Sequence, residues 1–529
     1  MNDQAVAFPT PVLPTSFGEV GRTRALLELA RQYDRRGHVA EAASAYEAAI
    51  GGLEKVPTEK PALAEALRRL AVVVQRRREM ERARELCWRS HQVAVETGNQ
   101  TLIAEALNTL GGLDIVEERF EAAAQTLRSA RQLATVDGSL LGRIEQNLGT
   151  VASRRGDTSA ALAHYHDSLQ AFLAARDERG SAIAYHNLGR VNADREQWEE
   201  ADRHFQQALK TAEYVGDVHL RGLCFLNRAE VLVATEHHEA ARASAEQALS
   251  IFNELGARSE ISDAYRVMAI VNRATGHATA SAQGLQLARE LAAQLGSVIG
   301  EAEALRELAR VYRTINRLPE ALDTLVLASE LHGRIGLSYD VSGVLEGRFP
   351  PIVRDWGETI AAIHPPTFAG SRDVSCDAVT VARSLGLPPA DQALIRLGAL
   401  FYDVGKLRVP LGTLEKPGPL TSQEYEFVRT HTVLGEELLG RVRFPWDIRP
   451  IIRSHHERLD GSGYPDGLCG DAIPVSAQII GLVDVYRALL SPRPGRPAMT
   501  RAETLRELEE CRSRWRPDVY AAFRQVFVA

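Results

Sequence analysis

The stretch NLGRVNADREQWEEADRHFQQAL at Asn187–Leu209 carries the pattern that decides the fold of the N-terminal half. Three small residues, Gly189, Ala201 and Ala208, stand at set positions in it, and Phe205 lies four residues after Ala201. Two helices pack closely only where small side chains face one another and larger ones fill the flanking grooves. The stretch therefore predicts a pair of packed helices joined by a short turn.

The same pattern recurs about every 40 residues over the first 340 residues. The small residues equivalent to Ala201 are Ala42, Ala83, Ala123, Ala161, Ala201, Ala241, Ser281 and Ala321. Twelve residues before each of them stand Ala30, Ala71, Gly111, Gly149, Gly189, Ala229, Ala269 and Ala309. A single pair cannot bury its apolar face alone and must stack on its neighbours. We therefore expect about eight stacked helix pairs over residues 21–340.

Proline usage separates this array from the rest of the chain. Only Pro319 lies between Ala62 and Pro350, whereas 17 prolines follow from Pro350 onward. A proline inside a helix costs about 3 kcal/mol, so the first region is expected to be continuous helix and turn. The second region, residues 349–529, must contain shorter helices, and residues 1–20 are expected to form a flexible lead-in.

The repeats resemble the tetratricopeptide repeat family, as Asn187–Leu209 and the similar stretch NLGTVASRRGDTSAALAHYHDSL at Asn147–Leu169 illustrate. The resemblance implies an all-α, right-handed superhelical solenoid whose concave groove binds a peptide or a protein partner. A 40-residue unit exceeds the 34 residues of that family, so longer helices or looser connections are expected. The alternative is that the array only spaces or dimerises the second half.

Composition and charge exclude several classes of protein. The 529 residues are 45% hydrophobic and 25% charged, which is an ordinary globular composition. A net charge of −7 argues against binding to a nucleic acid polymer or an anionic membrane surface. The N-terminus lacks a secretory signal pattern, no apolar run suits a membrane span, and the five cysteines lack metal-binding spacing. We expect a cytoplasmic protein with reduced thiols.

One dense motif carries the chemistry of the second half, SHHERLDGSGYPDG at Ser454–Gly467. Imidazole and carboxylate groups together suit metals such as Fe or Mn. Because neighbouring side chains diverge by about 100° on an intact helix, His455 and His456 face one centre only near a helix end. We expect Asp460 and Gly461 to supply that break and the following tight loop to place Tyr464 over the site.

This motif looks like the signature of the HD-GYP family, a branch of the HD-domain metal-dependent phosphohydrolases. Further similar stretches are FYDVGKLRVP at Phe401–Pro410, EKPGPLTSQEYEFVRTHTVLGEELL at Glu415–Leu439 and IPVSAQIIGLVDVYRALLSPRPGRPAMT at Ile473–Thr500. The resemblance covers about residues 349–529. It implies an all-α domain with a metal centre and hydrolysis of the phosphodiester bond of cyclic di-GMP.

The resemblance also assigns candidate site residues. The metal ligands that it implies are Asp403, His431, His455, His456 and Asp484. Asp403 and Lys406 are the candidate catalytic residues. Because ammonium and guanidinium groups suit phosphate oxygens, Lys406, Arg493 and Arg496 are candidate substrate contacts. Tyr464 is a further candidate, since the loop is expected to place it over the site.

The chain departs from this family at four positions. Tyr402 stands where the family has the histidine of its His-Asp pair, and Gly370 stands where it has an earlier histidine. Asp373 replaces an arginine, and Arg487 replaces an aspartate, which suggests relaxed or altered chemistry. By carry-over from the family, one metal position keeps all its ligands, while the other, which needs Asp484, loses two histidines.

These departures leave several alternatives open. Tyr402 either fills the vacated space by packing or ligates a metal as a phenolate, and the retained ligands are either functional or structural relics. The enzymatic hypothesis is a cyclic di-GMP phosphodiesterase, gated by the array, with a divalent metal centre of Fe or Mn that holds one ion rather than two. The second is a non-catalytic cyclic di-GMP-binding or protein-interaction scaffold. The third is a regulator whose array senses a peptide and whose second half is an interaction platform.

Overall fold

The protein is described here from a computed structural model that covers residues 19–35, 38–134, 137–335, 341–347, 349–440, 442, 444, 446–492 and 496–528. The expected lead-in lies outside the described residues apart from its last two. Packing divides the chain into two compact units, residues 1–224 and 225–529, which are described separately below. The described residues contain helices and no β-strand, and an isolated bridge pairs Asp460 with Cys469.

The first sixteen helices form the eight expected pairs, so the all-α repeat architecture is confirmed. Most of them are 17 or 18 residues long, which accounts for the 40-residue period. Their bounds are α1 Glu19–Arg35, α2 Val39–Leu53, α3 Lys60–Arg76, α4 Met80–Thr97, α5 Gln100–Val116, α6 Phe120–Leu133, α7 Gly138–Arg154, α8 Thr158–Ala174, α9 Glu178–Asp194, α10 Trp198–Val215, α11 Val218–Ala234, α12 His238–Leu255, α13 Arg258–Ala274, α14 Ala278–Gln294, α15 Val298–Thr314 and α16 Leu318–Ile335.

The small residues of the repeat lie where the two helices of a pair meet. All eight residues equivalent to Ala201 are fully buried. A β-carbon on Gly149 of α7 would lie 2.7 Å from the ring of Tyr165 on α8, and one on Gly189 of α9 would lie 2.7 Å from Phe205 on α10. The small residue of one helix thus accommodates the large residue of the next, as the spacing predicts.

The turns within the pairs repeat as faithfully as the helices. From the second pair onward, the fifth residue before each small residue equivalent to Ala201 has a left-handed backbone, and glycine occupies it only at Gly156 and Gly276. The others are Arg78, Glu118, Glu196, Glu236 and Asn316, with φ between 58° and 62°. Because this conformation is uncommon without glycine, the packing of the pairs must impose it.

The region after the array contains shorter helices, as the prolines predict. Their bounds are α17 Val341–Glu346, α18 Pro351–Ile363, α19 Pro365–Ser384, α20 Pro389–Phe401, α21 Leu411–Leu414, α22 Ser422–Arg429, α23 His431–Leu439, α24 Arg449–Ser454, α25 Val475–Leu490, α26 Arg501–Glu510 and α27 Pro517–Phe527. Helices α19, α20 and α25 pack around one apolar core that includes Ile395, Ile479 and Trp515. None of the described helices has both the length and the apolar character that a bilayer crossing requires.

The last repeat and the second half share a core within the second unit. Asp355 of α18 is buried and accepts hydrogen bonds from Arg306 Nε at 2.8 Å and Arg310 Nε at 2.6 Å, both on α15. The indole of Trp356 donates to Ser329 Oγ of α16 at 2.9 Å. The last repeat therefore packs directly against α18.

Candidate metal centre

Four separate elements bring the candidate ligands together. Asp403 lies just after α20, His431 begins α23, Asp484 lies on α25, and His455 and His456 follow the last residue of α24. The adjacent histidines therefore sit at a helix end, as expected. The break comes at Ser454, however, and not at Asp460 and Gly461, because α24 ends before the histidine pair.

Three imidazoles form a compact cluster. The ligating nitrogens of His431, His455 and His456 lie within 4.8 Å of one another. Nε2 of His431 is 3.3 Å from Nε2 of His455 and 3.3 Å from Oδ1 of Asp403. Four of the five candidate ligands therefore converge on one place.

The donor set of this cluster fits a cation. Nδ1 of His431 bonds to the carbonyl oxygen of Val428 at 2.6 Å, and Nδ1 of His455 bonds to that of Ile452 at 2.8 Å. A carbonyl only accepts, so each Nδ1 carries the hydrogen, and the two Nε2 atoms of the neutral rings face each other as lone pairs. Oδ1 of Asp403 is buried and has no hydrogen-bond donor in the described structure. A divalent metal satisfies all three acceptors.

The electrostatics of the cluster keep these ligands in the metal-binding state. Burial lowers the pKa of both His431 and His455 to about 4, so both are neutral at pH 7. Burial also lowers the pKa of His456, well below its usual value. Burial by itself raises the pKa of Asp403, but the positive charge of Lys406 and its hydrogen bond to the carboxylate hold that pKa below its usual range.

Lys406 contacts the carboxylate that faces the cluster. Its Nζ lies 2.6 Å from Oδ2 of Asp403, on the other side of the carboxylate from His431. A short 3₁₀ turn over Val404–Arg408 carries the lysine. The ammonium is therefore placed beside the centre, as a residue that contacts phosphate must be.

Tyr402 forms a hydrogen bond with Asp484, the fifth candidate ligand. Its hydroxyl donates to Oδ1 of Asp484 at 2.8 Å, and its ring packs edge-on against His455 with 4.9 Å between the ring centres. Burial raises the pKa of Tyr402 well above its usual value, so the side chain is a neutral phenol. The geometry favours a packing and hydrogen-bonding role for Tyr402 over ligation as a phenolate.

The second missing histidine has no replacement in the structure. A β-carbon on Gly370 of α19 would have no atom within 4 Å, so this face of the helix is open. His364 is the nearest histidine in the sequence, and its Nδ1 accepts hydrogen bonds from the backbone and hydroxyl of Thr367 at the start of α19. His364 thus caps a helix.

The loop after the histidine pair packs Tyr464 against the cluster. The ring of Tyr464 stacks on His456 with 4.7 Å between centres, and the guanidinium of Arg429 lies 4.5 Å above the same ring. The carboxylate of Glu457, which is buried, accepts from the backbone N–H groups of Asp466 at 2.8 Å and Leu468 at 3.0 Å. Sequence reasoning missed Glu457 as the anchor of this loop, although a carboxylate beside two candidate ligands was a signal.

Two glycines let backbone segments approach closely behind the ligands. A β-carbon on Gly405 would lie 1.8 Å from the carbonyl oxygen of His431, and one on Gly481 of α25 would lie 2.1 Å from that of His455. No side chain fits at either position, so these contacts fix where the two histidines stand.

Two of the departures from the family pattern, Asp373 and Arg487, lie near each other. Nε of Arg487 on α25 lies 2.5 Å from Oδ2 of Asp377, and its Nη1 lies 4.0 Å from Oδ2 of Asp373, both on α19. Arg487 therefore pairs mainly with Asp377, and Asp373 lies at the edge of that contact. The altered chemistry suggested by these two substitutions stays a prediction.

The remaining candidate substrate contacts lie elsewhere. Arg493 lies outside the described residues. Nη2 of Arg496 donates to the carbonyl oxygens of Ala488 and, at 3.3 Å, of Ser491. Since α25 ends at Leu490, this guanidinium satisfies the end of that helix. A contact of Arg496 with substrate stays a prediction.

The repeats of the first unit contain a polar cavity of their own, of about 1190 Å³. Arg179, His186, Asn187 and Arg190 of α9 are among the residues that line it. Asparagines recur at the same repeat position, and the amide of Asn147 donates to Oδ1 of Asn108 at 2.9 Å.

Comparison with known proteins finds similarity in both parts of the chain. A family model described as an HD domain matches residues 356–519, and the tetratricopeptide repeat model matches residues 139–214 and 180–254. The chain is 43% identical over 136 residues to the cyclic di-GMP phosphodiesterase response regulator RpfG of Xanthomonas campestris. It is 34% identical over 175 residues to 3'3'-cGAMP-specific phosphodiesterase 3 of Vibrio cholerae.

These matches cover only part of each protein. They span 25% of this chain and 36% of RpfG, and 33% of this chain and 38% of the Vibrio cholerae enzyme. A crystal structure of a Rap protein complexed with competence and sporulation factor aligns with 73% of this chain and 99% of its own, at 14% identity and a TM-score of 0.44.

Proposed function

The chain joins tetratricopeptide repeats to an HD domain similar to those of cyclic di-GMP phosphodiesterases, and we propose that it is a signalling protein that binds cyclic di-GMP at a single-metal centre. Asp403, His431, His455 and His456 hold the ion. The curated relatives act on cyclic di-GMP or on 3'3'-cGAMP, as their names state.

The hydrogen bond from Tyr402 to Asp484 carries this proposal. This bond engages Asp484, and the phenol fills the space of a family histidine. Of the ligands that a second ion would need, one is therefore engaged and another is missing beside the intact cluster. A bound ion of this kind polarises phosphate oxygens and lowers the pKa of water. With only one ion, we expect binding of the dinucleotide with hydrolysis much slower than in a two-metal enzyme.

The chain's own residues supply the contacts to the dinucleotide. Lys406 places an ammonium beside the cluster, and Tyr464 offers a ring that stacks on His456. Imidazole and carboxylate ligands favour Fe or Mn. A cytoplasmic location fits these features, because the five cysteines are free and cyclic di-GMP is an intracellular signal in the proposed role.

The repeats are proposed to bind a peptide or protein ligand. The cavity in the first unit offers the amide side chains of Gln146 and Asn187, and amides pair with peptide backbone. Arginines line the same cavity and suit acidic groups on the ligand.

The decisive experiment measures metal content, nucleotide binding and turnover on the same sample. We expect about one Fe or Mn per chain, measurable cyclic di-GMP binding by calorimetry, and little linear dinucleotide or GMP by chromatography. His455→Ala should lose metal and nucleotide binding, whereas the control His237→Ala, in an exposed turn, should lose neither.

A second candidate function is phosphodiesterase activity with one ion. The observation that favours it is the intact set of Asp403, Lys406 and neutral imidazoles. Turnover that His455→Ala abolishes would support this candidate and contradict the proposal of a receptor. Absence of cyclic di-GMP binding to metal-loaded protein would contradict both.

A further inference from the structure

A groove within the second unit lies apart from the candidate metal cluster. It has a volume of about 770 Å³ and runs between α16, the last helix of the array, and helices α22 and α23. Such a volume is large enough to hold several side chains of a peptide or protein ligand.

Both walls of the groove are helical and largely apolar. Asp323, Val326, Leu327 and Glu330 of α16 stand at positions i, i+3, i+4 and i+7, so one face of that helix forms the first wall. The opposite wall consists of Phe427, Thr430, Leu434, Glu437 and Leu438. Leu327 is 49% exposed and Phe427 is 44% exposed, so large apolar side chains on both walls meet solvent.

The floor of the groove continues an interface that already exists in the protein. Val326 and Leu438 belong to the apolar core that joins the last repeat to α18, together with Trp356. An apolar side chain entering the groove therefore extends a packed core.

The charges around the groove select the partner. Three carboxylates, those of Asp323, Glu330 and Glu437, line it against one guanidinium, that of Arg408. Arg408 lies 3.3 Å from Asp323, whereas the exposed carboxylate of Glu437 has no ion-pair partner among the described residues, so the lining keeps an uncompensated negative charge. A complementary partner carries positive charge beside its apolar side chains.

We propose that this groove docks a basic amphipathic helix of a partner protein. Two helical walls with an apolar floor fit a helix laid between them, with its apolar stripe inward. A basic residue on the flank of that helix then meets the carboxylate of Glu437. The docked helix would contact α23, which begins at His431, so the site gives a partner access to the element that carries a metal ligand.

The test uses two synthetic helical peptides and the full-length protein. The first peptide carries leucines at i, i+4, i+7 and i+11 and lysines on both flanks, and the second replaces each lysine with glutamate. Fluorescence anisotropy should show that the protein binds the basic peptide. Its affinity for the acidic peptide should be lower by a factor of about ten or more. The measurement needs neither metal nor nucleotide, so it is independent of the proposed function.

Variants of the groove localise the binding. Leu327→Ser and Phe427→Ser should each lower the affinity for the basic peptide about tenfold. The control Leu255→Ser changes a leucine that is 47% exposed at the end of α12, and it should leave the affinity unchanged. Circular dichroism confirms that each variant folds.

Three results would overturn the proposal. These are absence of binding, equal binding of the two peptides, and an affinity that Leu327→Ser and Phe427→Ser do not alter more than Leu255→Ser does. A dimer of the chain that Leu327→Ser dissociates, seen by sedimentation, would also overturn it, because the groove would then hold a second copy.

Discussion

At the residue scale, Tyr402 is the residue on which the proposed single-metal centre depends. Its phenol stands where the family has an imidazole and donates a hydrogen bond to Asp484. A side chain that ligates a metal in the family pattern is thus replaced by one that forms a hydrogen bond. The neighbouring cluster keeps its own geometry because its histidines are oriented by backbone carbonyls. One substitution thus affects one metal position and leaves the other intact.

Restoring the two histidines should restore a second metal. The double variant Tyr402→His with Gly370→His should raise the metal content from about one to about two ions per chain and increase hydrolysis of cyclic di-GMP. The open space at Gly370 admits the new side chain. Gly370→His alone is the control and should stay at one ion. A double variant with unchanged metal content would show that the pocket lacks more than two ligands.

His186 should make the stability of the repeats depend on pH. Burial lowers its pKa to about 3, against about 6.5 in an unfolded chain. Between these values the unfolded state binds more protons, so stability falls as the pH drops below 6.5, by up to about 1.4 kcal/mol per pH unit. His186→Gln should lose less stability than wild type between pH 7.5 and 5.5 in urea unfolding. Equal losses would contradict the assignment.

At the scale of elements, the helix pairs depend on small residues that face large ones. Gly111 of α5 lies against Leu127 of α6, where a β-carbon would approach to 2.6 Å. The next residue, Gly112, has open space. Because both glycines lie on one helix, they share the same helix propensity and differ only in packing.

This pair of neighbours provides a matched test. Gly112→Ala should stabilise the protein by about 0.5–1 kcal/mol through helix propensity. Gly111→Ala carries the same benefit but forces Leu127 aside, so it should be about 1–3 kcal/mol less stable than Gly112→Ala. Thermal unfolding of both variants measures the difference, and equal stabilities would mean that the helix contact is looser than described.

The joint between α15 and α18 rests on a buried carboxylate. Asp355 accepts from Arg306 and Arg310, and Asp355→Ala would leave both guanidinium groups without it. We expect a loss of about 3 kcal/mol in the free energy of unfolding. The control Glu320→Ala removes an exposed partner of Arg317 and should cause no measurable change. A small effect of Asp355→Ala would show that the joint does not depend on this contact.

At the scale of the whole molecule, the repeats and the HD domain are not separable at the boundary that the prolines suggest. Val353 and Trp356 of α18 are buried in the core that also contains Leu322 and Leu325 of α16. Removing the repeats would expose this apolar surface. The last repeat therefore acts structurally as part of the second unit.

Truncation tests this inference directly. A fragment of residues 349–529 should aggregate, whereas a fragment of residues 298–529, which keeps α15 and α16, should be soluble and helical. Size-exclusion chromatography and circular dichroism distinguish the two outcomes. A monomeric, cooperatively unfolding 349–529 fragment would contradict the prediction and support a boundary at residue 349.

Helix pairing and the core of the site could be predicted because they rest on local spacing. The 40-residue period specifies which side chains share a helix face, and Ala201 and Phe205 illustrate how that face packs. The motif at Ser454–Gly467 likewise placed two candidate ligands at a helix end. The period itself did not reveal why the left-handed turns tolerate residues such as Glu196.

The sequence by itself determined the repeat architecture, since the repeat follows from residues a few positions apart, and its resemblance to a known family supplied the set of candidate ligands. Only the tertiary structure decided that Tyr402 binds Asp484, that Arg487 pairs with Asp377, and that Asp355 joins the repeats to the HD domain. These partners lie 45 to 110 residues apart. Their contact depends on how distant helices pack, and no local spacing encodes that.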